Sequence, residues 1–369
     1  MGLNASAFSR REGRYNICVK RLVFTGGHHT SALPVAQELQ RRSWEIIWLG
    51  HRRSMWGDTA DSAEYKEVTS SGIKFHNLWA GKFHRTYNPF KLALIPVGFL
   101  HALWYLAWYH PQGIVSFGGY LAVPVVVMGW LLGIKAITHE QTVVTGWGNR
   151  VAAKFAQKVA VAWPSSLKHY LADKGVYVGL PLRPEIVAMR KKYHLKKVYE
   201  PITVYVTGGK QGSHVINELI FDNLQRLIPK YQLIHQTGTS TLHGDWVRAS
   251  DIHMPGYQAF GFDAKKAMQA LQKADVVVSR AGAHTVYELA VLGKRSVLIP
   301  ISWVSHAEQE QNAQVLVDAG LGVILPESKL NIMSLQDAID QAKHLPGQPI
   351  NLPLQATQTL ADLIETEFP

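Results

Sequence analysis

Cysteine is nearly missing from this sequence: Cys18 is the single one in 369 residues. No disulfide can form within the chain, and the usage fits a reducing compartment. Acidic residues are also scarce, 27 against 38 Lys and Arg, which leaves a formal net charge of +11. That excess suits an anionic partner. The cations are dispersed, and there is no basic run interleaved with aromatics, no zinc-finger spacing and no helix-turn-helix pattern, so nucleic acid is not expected. A phosphorylated substrate or an anionic membrane surface is the better partner. The 17 histidines include no HExxH pair and no clustered metal spacing, and D-x-D occurs nowhere, so a resident metal is not expected. Low-complexity segments are absent. Met1 to Arg14 is polar and lacks the apolar core of a secretory signal, and residues 1–18 read as a loose extension. The longest apolar window, Leu92 to Tyr109, is interrupted by Pro96, Gly98 and His101 and carries its aromatics in the middle. A buried or membrane-surface helix fits it better than a bilayer span.

What the chain does contain is a series of strand–glycine loop–helix units. Hydrophobic content of 47% and charged content of 18% are globular values, and the length suits two domains. The central stretch is Ala274 to Leu316. A strand at Val276 to Val278 enters the loop Ser279-Arg280-Ala281-Gly282-Ala283, a helix follows from about Thr285 to Leu292, and a second strand spans Ser296 to Ile301. Open parallel sheets bind ligands at such carboxyl-edge loops, and the unpaired N–H groups of a helix start suit a diphosphate. Glu288, one turn into the helix, is placed to accept hydrogen bonds from a sugar diol. A further helix opens near Ser305-His306 and carries Gln309 and Asn312 on one face. Earlier in the chain, residues 19–24 form a strand, Thr25-Gly26-Gly27-His28 a glycine turn, and Ser31 to Arg42 a helix. Similar units follow: strands at 45–49, 114–117, 135–138 and 158–162, and Gly118-Gly119 after the third strand. Residues 184–200 are rich in charge and read as a connection. A new strand, Ile202 to Val206, then leads into Thr207-Gly208-Gly209-Lys210-Gln211-Gly212-Ser213, which lacks the ending of a phosphate-binding Walker loop.

At these residues the chain resembles family 28 glycosyltransferases. Ser279 to Leu289 matches the family pattern S-R-A-G-A-x-T-x-x-E-L at every fixed position. The later H-Q-x-x-N-A motif is present as Glu308-Gln309-Glu310-Gln311-Asn312-Ala313, with Glu308 in place of histidine. Thr25 to His28 matches T-G-G-H, His139-Glu140-Gln141-Thr142 resembles H-E-Q-N, Gly179 to Arg183 resembles G-N-P-V-R, and Gly208 to Ser213 resembles G-G-S-Q-G-A with Lys210 and Ser213 as departures.

The resemblance implies the GT-B fold: an α/β protein of two Rossmann-like, doubly wound domains facing a central cleft. The first is expected over 19–185 and the second, for the UDP-sugar donor, over 186–349, with a last helix (350–369) packing back on the first. It implies an inverting enzyme that moves N-acetylglucosamine from UDP-GlcNAc to the muramyl sugar of lipid I, giving lipid II, at the cytoplasmic membrane face. A related lipid acceptor, or a nucleotide-sugar-binding scaffold without turnover, is the alternative. No cofactor is implied, since UDP-GlcNAc is a substrate, and cell-wall synthesis enzymes are expected partners. His28 is the implied base, with Glu140 as its rival. Donor and phosphate contacts are implied for Thr25, Gly26, Gly27, Thr142, Arg183, Gly209, Lys210, Gln211, Gly212, Ala283, His284, Thr285, Val286, Tyr287, Glu288 and Gln309. A membrane-facing surface is expected at Lys82, Arg85, Tyr87, Phe90 and Lys91, beside the apolar window.

Overall fold

A computed structural model describes residues 20–53, 61–81, 89–192, 200–301 and 307–369. The first part of the chain alternates β1 (Arg21–Thr25), α1 (His29–Arg41), β2 (Glu45–Gly50), α2 (Ala63–Ser70), β3 (Lys74–Asn77), α3 (Pro89–Tyr109), β4 (Gly113–Ser116), α4 (Ala122–Leu131), β5 (Ala136–Glu140), α5 (Trp147–Phe155), β6 (Lys158–Val161), β7 (Gly175–Tyr177) and α6 (Pro184–Lys191). The second part runs β8 (Ile202–Thr207), α7 (His214–Asp222), α8 (Leu224–Leu227), β9 (Tyr231–Gln236), α9 (Asp245–Ser250), β10 (Tyr257–Phe260), α10 (Ala264–Lys273), β11 (Val276–Ser279), α11 (Ala283–Leu292), β12 (Arg295–Leu298), α12 (Glu308–Asp318), β13 (Gly322–Ile324), α13 (Ile332–Lys343) and α14 (Ala356–Glu367).

Each part is built on one parallel sheet. The strand orders are β3-β2-β1-β4-β5-β6-β7 and β10-β9-β8-β11-β12-β13. Parallel sheets have both faces covered by crossover helices, so their central strands read as unbroken apolar runs. Val276, Val277 and Val278 are accordingly almost fully buried, as are Leu22, Val23 and Phe24. In each sheet the order reverses at one point, between β1 and β4 and between β8 and β11. There the chain leaves adjacent strands in opposite directions, and the loops part to open a crevice. Four glycine loops lie at these two points: 26–28 and 118–119 in the first sheet, 208–213 and 280–283 in the second.

Side-chain caps are the exception among these helices. Helices α2, α10 and α13 are capped by Ser62, Asp263 and Asn331 side chains. Helices α1, α7 and α11, which leave the reversal points, have no side-chain cap. Their first N–H groups therefore remain available to a ligand.

Most expected strands lie within a residue or two of the strands observed, but several elements were not foreseen: α2, β3, β7, α7, β10, α10 and α13. Short strands with mixed burial, such as β3 and β7, carry too little periodicity to stand out. The apolar window is α3, and among the described residues no helix is long and apolar enough to cross a membrane. Lys82, Arg85 and Tyr87, the 1–18 extension and the Ser305-His306 helix start lie outside the described residues, and Phe90 and Lys91 are described by backbone alone. The charged connection contains α6, which packs on α10 and α11.

The last helix leaves the second sheet and lies on α1. Leu360, Ala361, Ile364 and Phe368 are buried in one cluster with Val35, Leu39 and Trp44. The Phe368 ring sits directly over Gly113 at the start of β4. Arg42 and Trp44 bond Glu365 at the rim, at 2.8 and 3.0 Å. Phe368→Ala should therefore destabilise the first domain by about 3–5 kcal/mol, the cost of emptying a buried aromatic site. Chemical denaturation followed by tryptophan fluorescence measures it. A loss below about 1 kcal/mol would mean that α14 is not part of that core.

Candidate functional site

Between the two sheets, a cavity of about 180 Å³ opens at the second reversal point. One wall is apolar, formed by Phe262, Ala267, Met268, Leu271 and Val277. The other is polar, formed by Thr207, Gly209, Lys210, His284, Thr285 and Glu288, with Arg183 closing the side. A flat apolar wall opposite a diol-accepting carboxylate and a helix N-terminus is what a nucleoside diphosphate needs. A larger cavity, about 920 Å³, lies behind Arg183 against α6 and α10, but none of the glycine loops lines it.

Glu288 is buried on α11, and Arg183 grips it. The guanidinium donates from Nε (3.2 Å) and Nη2 (2.9 Å) to Oε1 and from Nη2 to Oε2 (3.0 Å). The pair keeps a buried charge compensated. It also places Arg183 beside the Glu288 carboxylate rather than over the α11 N-terminus. Lys210 occupies the phosphate side. Its loop is tight: Gly212 has φ +90, and a Cβ there would lie 1.9 Å from the Thr237 carbonyl oxygen. Gly212 therefore shapes the loop, and the Gln211 side chain points to solvent.

Helical geometry divides residues 283 to 288. His284, Thr285 and Glu288 face the cavity. Val286 and Tyr287 are 0% exposed, and the Tyr287 ring packs edge-on against Trp163 with ring centres 4.9 Å apart. Of the six residues expected to contact the donor here, the 3.6-residue turn puts the side chains of one face on the cavity and those of the other in the core. Ala283 is likewise buried in the core cluster's margin.

The first domain supplies the opposite wall. Gly26 has φ +128, and a Cβ there would meet the Phe117 and Gly118 backbone at 2.7–2.9 Å. Gly27 donates to the Gly118 carbonyl at 3.1 Å, which presses the two glycine loops together. Thr25 is buried at the end of β1. His28 then projects from the start of α1 without capping it. His28 is exposed at the cleft rim, yet the surrounding protein and the neighbouring His29 lower its pKa to about 4. On either count the imidazole is neutral at pH 7 and can accept a proton. It lies near enough to His139 and His284 for their charges to interact.

Glu140 is differently placed. It is 3% exposed, and burial raises its pKa against the effect of its hydrogen bonds. Oε1 accepts from Thr142 N and Oγ1 (3.1 and 2.7 Å), and Oε2 accepts from Asn149 Nδ2 and Tyr170 OH (2.9 and 3.3 Å). These four bonds fill the acceptor sites of a carboxylate. Thr142 is thereby turned inward: its hydroxyl bonds Glu140 and the Val144 carbonyl, and it does not line the cavity. Gln309 accepts from Ile301 N through Oε1 at 3.1 Å, which leaves its amide N–H₂ for a ligand. Burial and the nearby Glu140 charge raise the pKa of Glu308 to about 7. Among the described residues no group of three or more His, Cys, Asp or Glu is arranged to hold a metal ion.

Among the described residues, several polar contacts join the two walls. Ser31 Oγ and His284 Nε2 are 2.5 Å apart, joining the starts of α1 and α11. Asn312 Oδ1 accepts from Val143 N at 3.3 Å. Lys210 Nζ bonds Glu67 Oε1 of α2 at 2.7 Å. Sequence reading did not single out Ser31, Glu67 or the apolar wall. Phe262 carries a usable local signal, since it immediately precedes the helix-capping Asp263. Glu67 carries none.

Comparison with known proteins agrees with this geometry. Residues 24–161 match the Glycosyltransferase family 28 N-terminal domain and residues 203–366 the Glycosyltransferase family 28 C-terminal domain. A protein of Desulfotalea psychrophila is 34% identical over 332 residues, covering 85% of each chain. One of Clostridium botulinum (strain Langeland) is 30% identical over 337 residues, covering 87% of this chain and 90% of its own. Both carry the name UDP-N-acetylglucosamine--N-acetylmuramyl-(pentapeptide) pyrophosphoryl-undecaprenol N-acetylglucosamine transferase. Among solved structures, Acinetobacter baumannii MurG superposes with a TM-score of 0.65 at 24% identity, over 94% of this chain and 99% of its own. The UDP-GlcNAc 2-epimerase of Neisseria meningitidis gives 0.64 at 14% identity, over 94% and 100%, and shares the fold. With both halves of the chain matched in order and the two sheets meeting at one cleft, the chain belongs to glycosyltransferase family 28.

Proposed function

We propose that this protein transfers N-acetylglucosamine from UDP-GlcNAc to lipid I, the polyprenyl-diphosphate-linked muramyl pentapeptide, forming lipid II. The observation that carries this reading is the cavity at the β8/β11 reversal, where an apolar wall, Glu288 and an uncapped helix start stand opposite His28. The base would lie against Phe262 and Met268, the ribose diol would bond Glu288, and the diphosphate would meet the α11 N-terminus and Lys210. His28, neutral and with a ring that does not cap its helix, is the base that takes the proton of the acceptor hydroxyl as the anomeric bond to UDP breaks. Glu140, with every acceptor site filled, holds the β5 loop in shape. The leaving diphosphate is stabilised by fixed dipoles and the lysine.

The acceptor chemistry also calls for a lipid-facing surface, and α3 provides one. Val97, Leu100, Trp104 and Trp108 recur at intervals of three and four residues and are 40–68% exposed. Trp79 beside α3 and Trp130 and Leu131 on the adjacent α4 extend the patch. Solvated side chains of this size are costly to leave in water, but suit the headgroup boundary of a bilayer. We read the first domain as the one that docks peripherally on an anionic membrane.

Five measurements test these readings. Purified protein with radiolabelled UDP-GlcNAc and a short-chain lipid I analogue should yield the disaccharide product, and UDP-glucose should not substitute. His28→Ala should cut turnover by roughly 10²–10⁴-fold. In the wild type, kcat/KM should hold at neutral pH and fall as pH drops toward about 4, because protonation removes the base form of His28. Turnover within a few-fold of wild type in the variant would move the base elsewhere. For the donor, Glu288→Ala should weaken UDP binding by roughly 1.5–3 kcal/mol, as for a hydrogen bond to a charged group. Unchanged affinity by calorimetry would take Glu288 out of the site. For the membrane, wild-type protein should sediment with anionic vesicles and release as salt rises. Replacing Leu100, Trp104 and Trp108 together by serine should abolish sedimentation without altering UDP affinity; persistence of binding would place the docking surface elsewhere.

A further inference from the structure

One charged contact between the two walls involves neither His28 nor Glu288. Lys210 leaves the glycine loop after β8 and reaches across the cleft to Glu67 on α2, Nζ to Oε1 2.7 Å. The other oxygen of Glu67 lies 3.3 Å from His29 Nε2, and Lys210 Nζ is 3.4 Å from the same nitrogen. Lys210 also stands 5.6 Å over the Phe262 ring, on the apolar wall. Burial opposes ionisation of Glu67, but the bonds and charges of His29 and Lys210 outweigh it and hold its pKa down at about 2. The carboxylate is therefore charged throughout the neutral range. Lys210 is the one lysine lining the small cavity, on the side of Gly209, His284 and Thr285.

We infer that Glu67 is a cross-cleft clasp: it occupies Lys210 in place of a donor diphosphate, and donor binding must draw the lysine from the carboxylate to the phosphates. This rests on the proposed binding of a UDP-sugar in that cavity. Lys210 offers three N–H bonds from one point charge, and a carboxylate and a diphosphate cannot both crowd it in a confined cleft without repelling each other. The clasp ties α2 of the first domain to the phosphate loop of the second, so releasing Lys210 also frees one of the contacts that hold the walls together. A ligand that needs the unclasped state binds with an apparent affinity lowered by the fraction of molecules in that state. Glu67 is thus a positioning residue that sets donor affinity and cleft closure together, without touching the reacting atoms.

The test compares UDP with uridine, which carries the same base and ribose but no phosphate, by calorimetry on wild type, Glu67→Gln, Lys210→Gln and the double variant. Uridine binding reports folding and the base-ribose site in every protein. Glu67→Gln should bind UDP about five- to tenfold more tightly than wild type, within the usual range of coupling between sites, with uridine unchanged. Lys210→Gln should bind UDP more weakly, and adding Glu67→Gln to it should bring no gain. The clasp is overturned if Glu67→Gln leaves UDP affinity unchanged or lowers it, or if its gain persists without Lys210. Should wild type bind neither UDP nor uridine, the donor reading fails and the clasp fails with it; if wild type binds both and the variants show no UDP-specific change, the clasp alone is lost.

Discussion

Two reversals of strand order organise everything else in this molecule. A parallel sheet needs a crossover helix after each strand, and crossovers on one side of a strand pair diverge from those on the other. Where β1 meets β4, and again where β8 meets β11, the loops separate and backbone N–H groups are left facing outward. The protein places glycines at these points because the backbones come too close for a Cβ, as at Gly26 against Phe117. The helices there start without side-chain caps, so their first N–H groups have no partner in their own side chains. The site is the place where the sheet's own hydrogen bonding runs out.

The electrostatics of the cleft follow from that geometry. Each ionised group near the cavity is compensated by a partner from another element: Glu288 by Arg183, Glu67 by Lys210 and His29, Arg280 by Glu327. Glu140 answers burial differently, with four neutral donors and a raised pKa. His28 has neither arrangement and is kept neutral by its surroundings. A site that must receive a diphosphate and later release it needs cations that are present yet already occupied, so that the empty cleft is not left with uncompensated charge. Lys210 and Arg183 have that character.

Packing sets the frame on which these pairs are held. The second domain's core surrounds α11 so closely that Val286, Tyr287, Leu289, Ala290 and Val291 are nearly unexposed. This fixes the helix whose opposite face carries His284, Thr285 and Glu288. Helix α14 returns from the second domain to bury Phe368 against β4, so the two parts of the chain share a core element as well as a cleft. On the outer side of the first domain, α3 combines a buried edge (Ala102, Tyr105, Leu106) with an exposed one (Leu100, Trp104, Trp108), which is why its apolar residues alone did not separate a core helix from a surface one.

Much of this was legible in the sequence for local reasons. Apolar runs of four to six residues ending in glycine, followed by helical periodicity, mark βα units, and the segment from Ser279 to Leu289 identifies the family by itself. Glu288 is a candidate from its place one turn into a helix after a glycine loop, and His28 from its match to the family's T-G-G-H pattern. Which side chains of α11 face the cleft required its packing, which turns those of Val286 and Tyr287 into the core. Thr142 turns inward because Glu140 and Val144 take its hydroxyl, a local bond that the motif does not specify. The decisive pairings join residues far apart in the chain: Arg183 with Glu288, Lys210 with Glu67, Ser31 with His284, separated by 105, 143 and 253 positions. No periodicity or motif encodes such pairs, because each partner is an ordinary polar residue on its own helix or loop. They arise only when two sheets, folded independently by local rules, bring their reversal points to the same cleft.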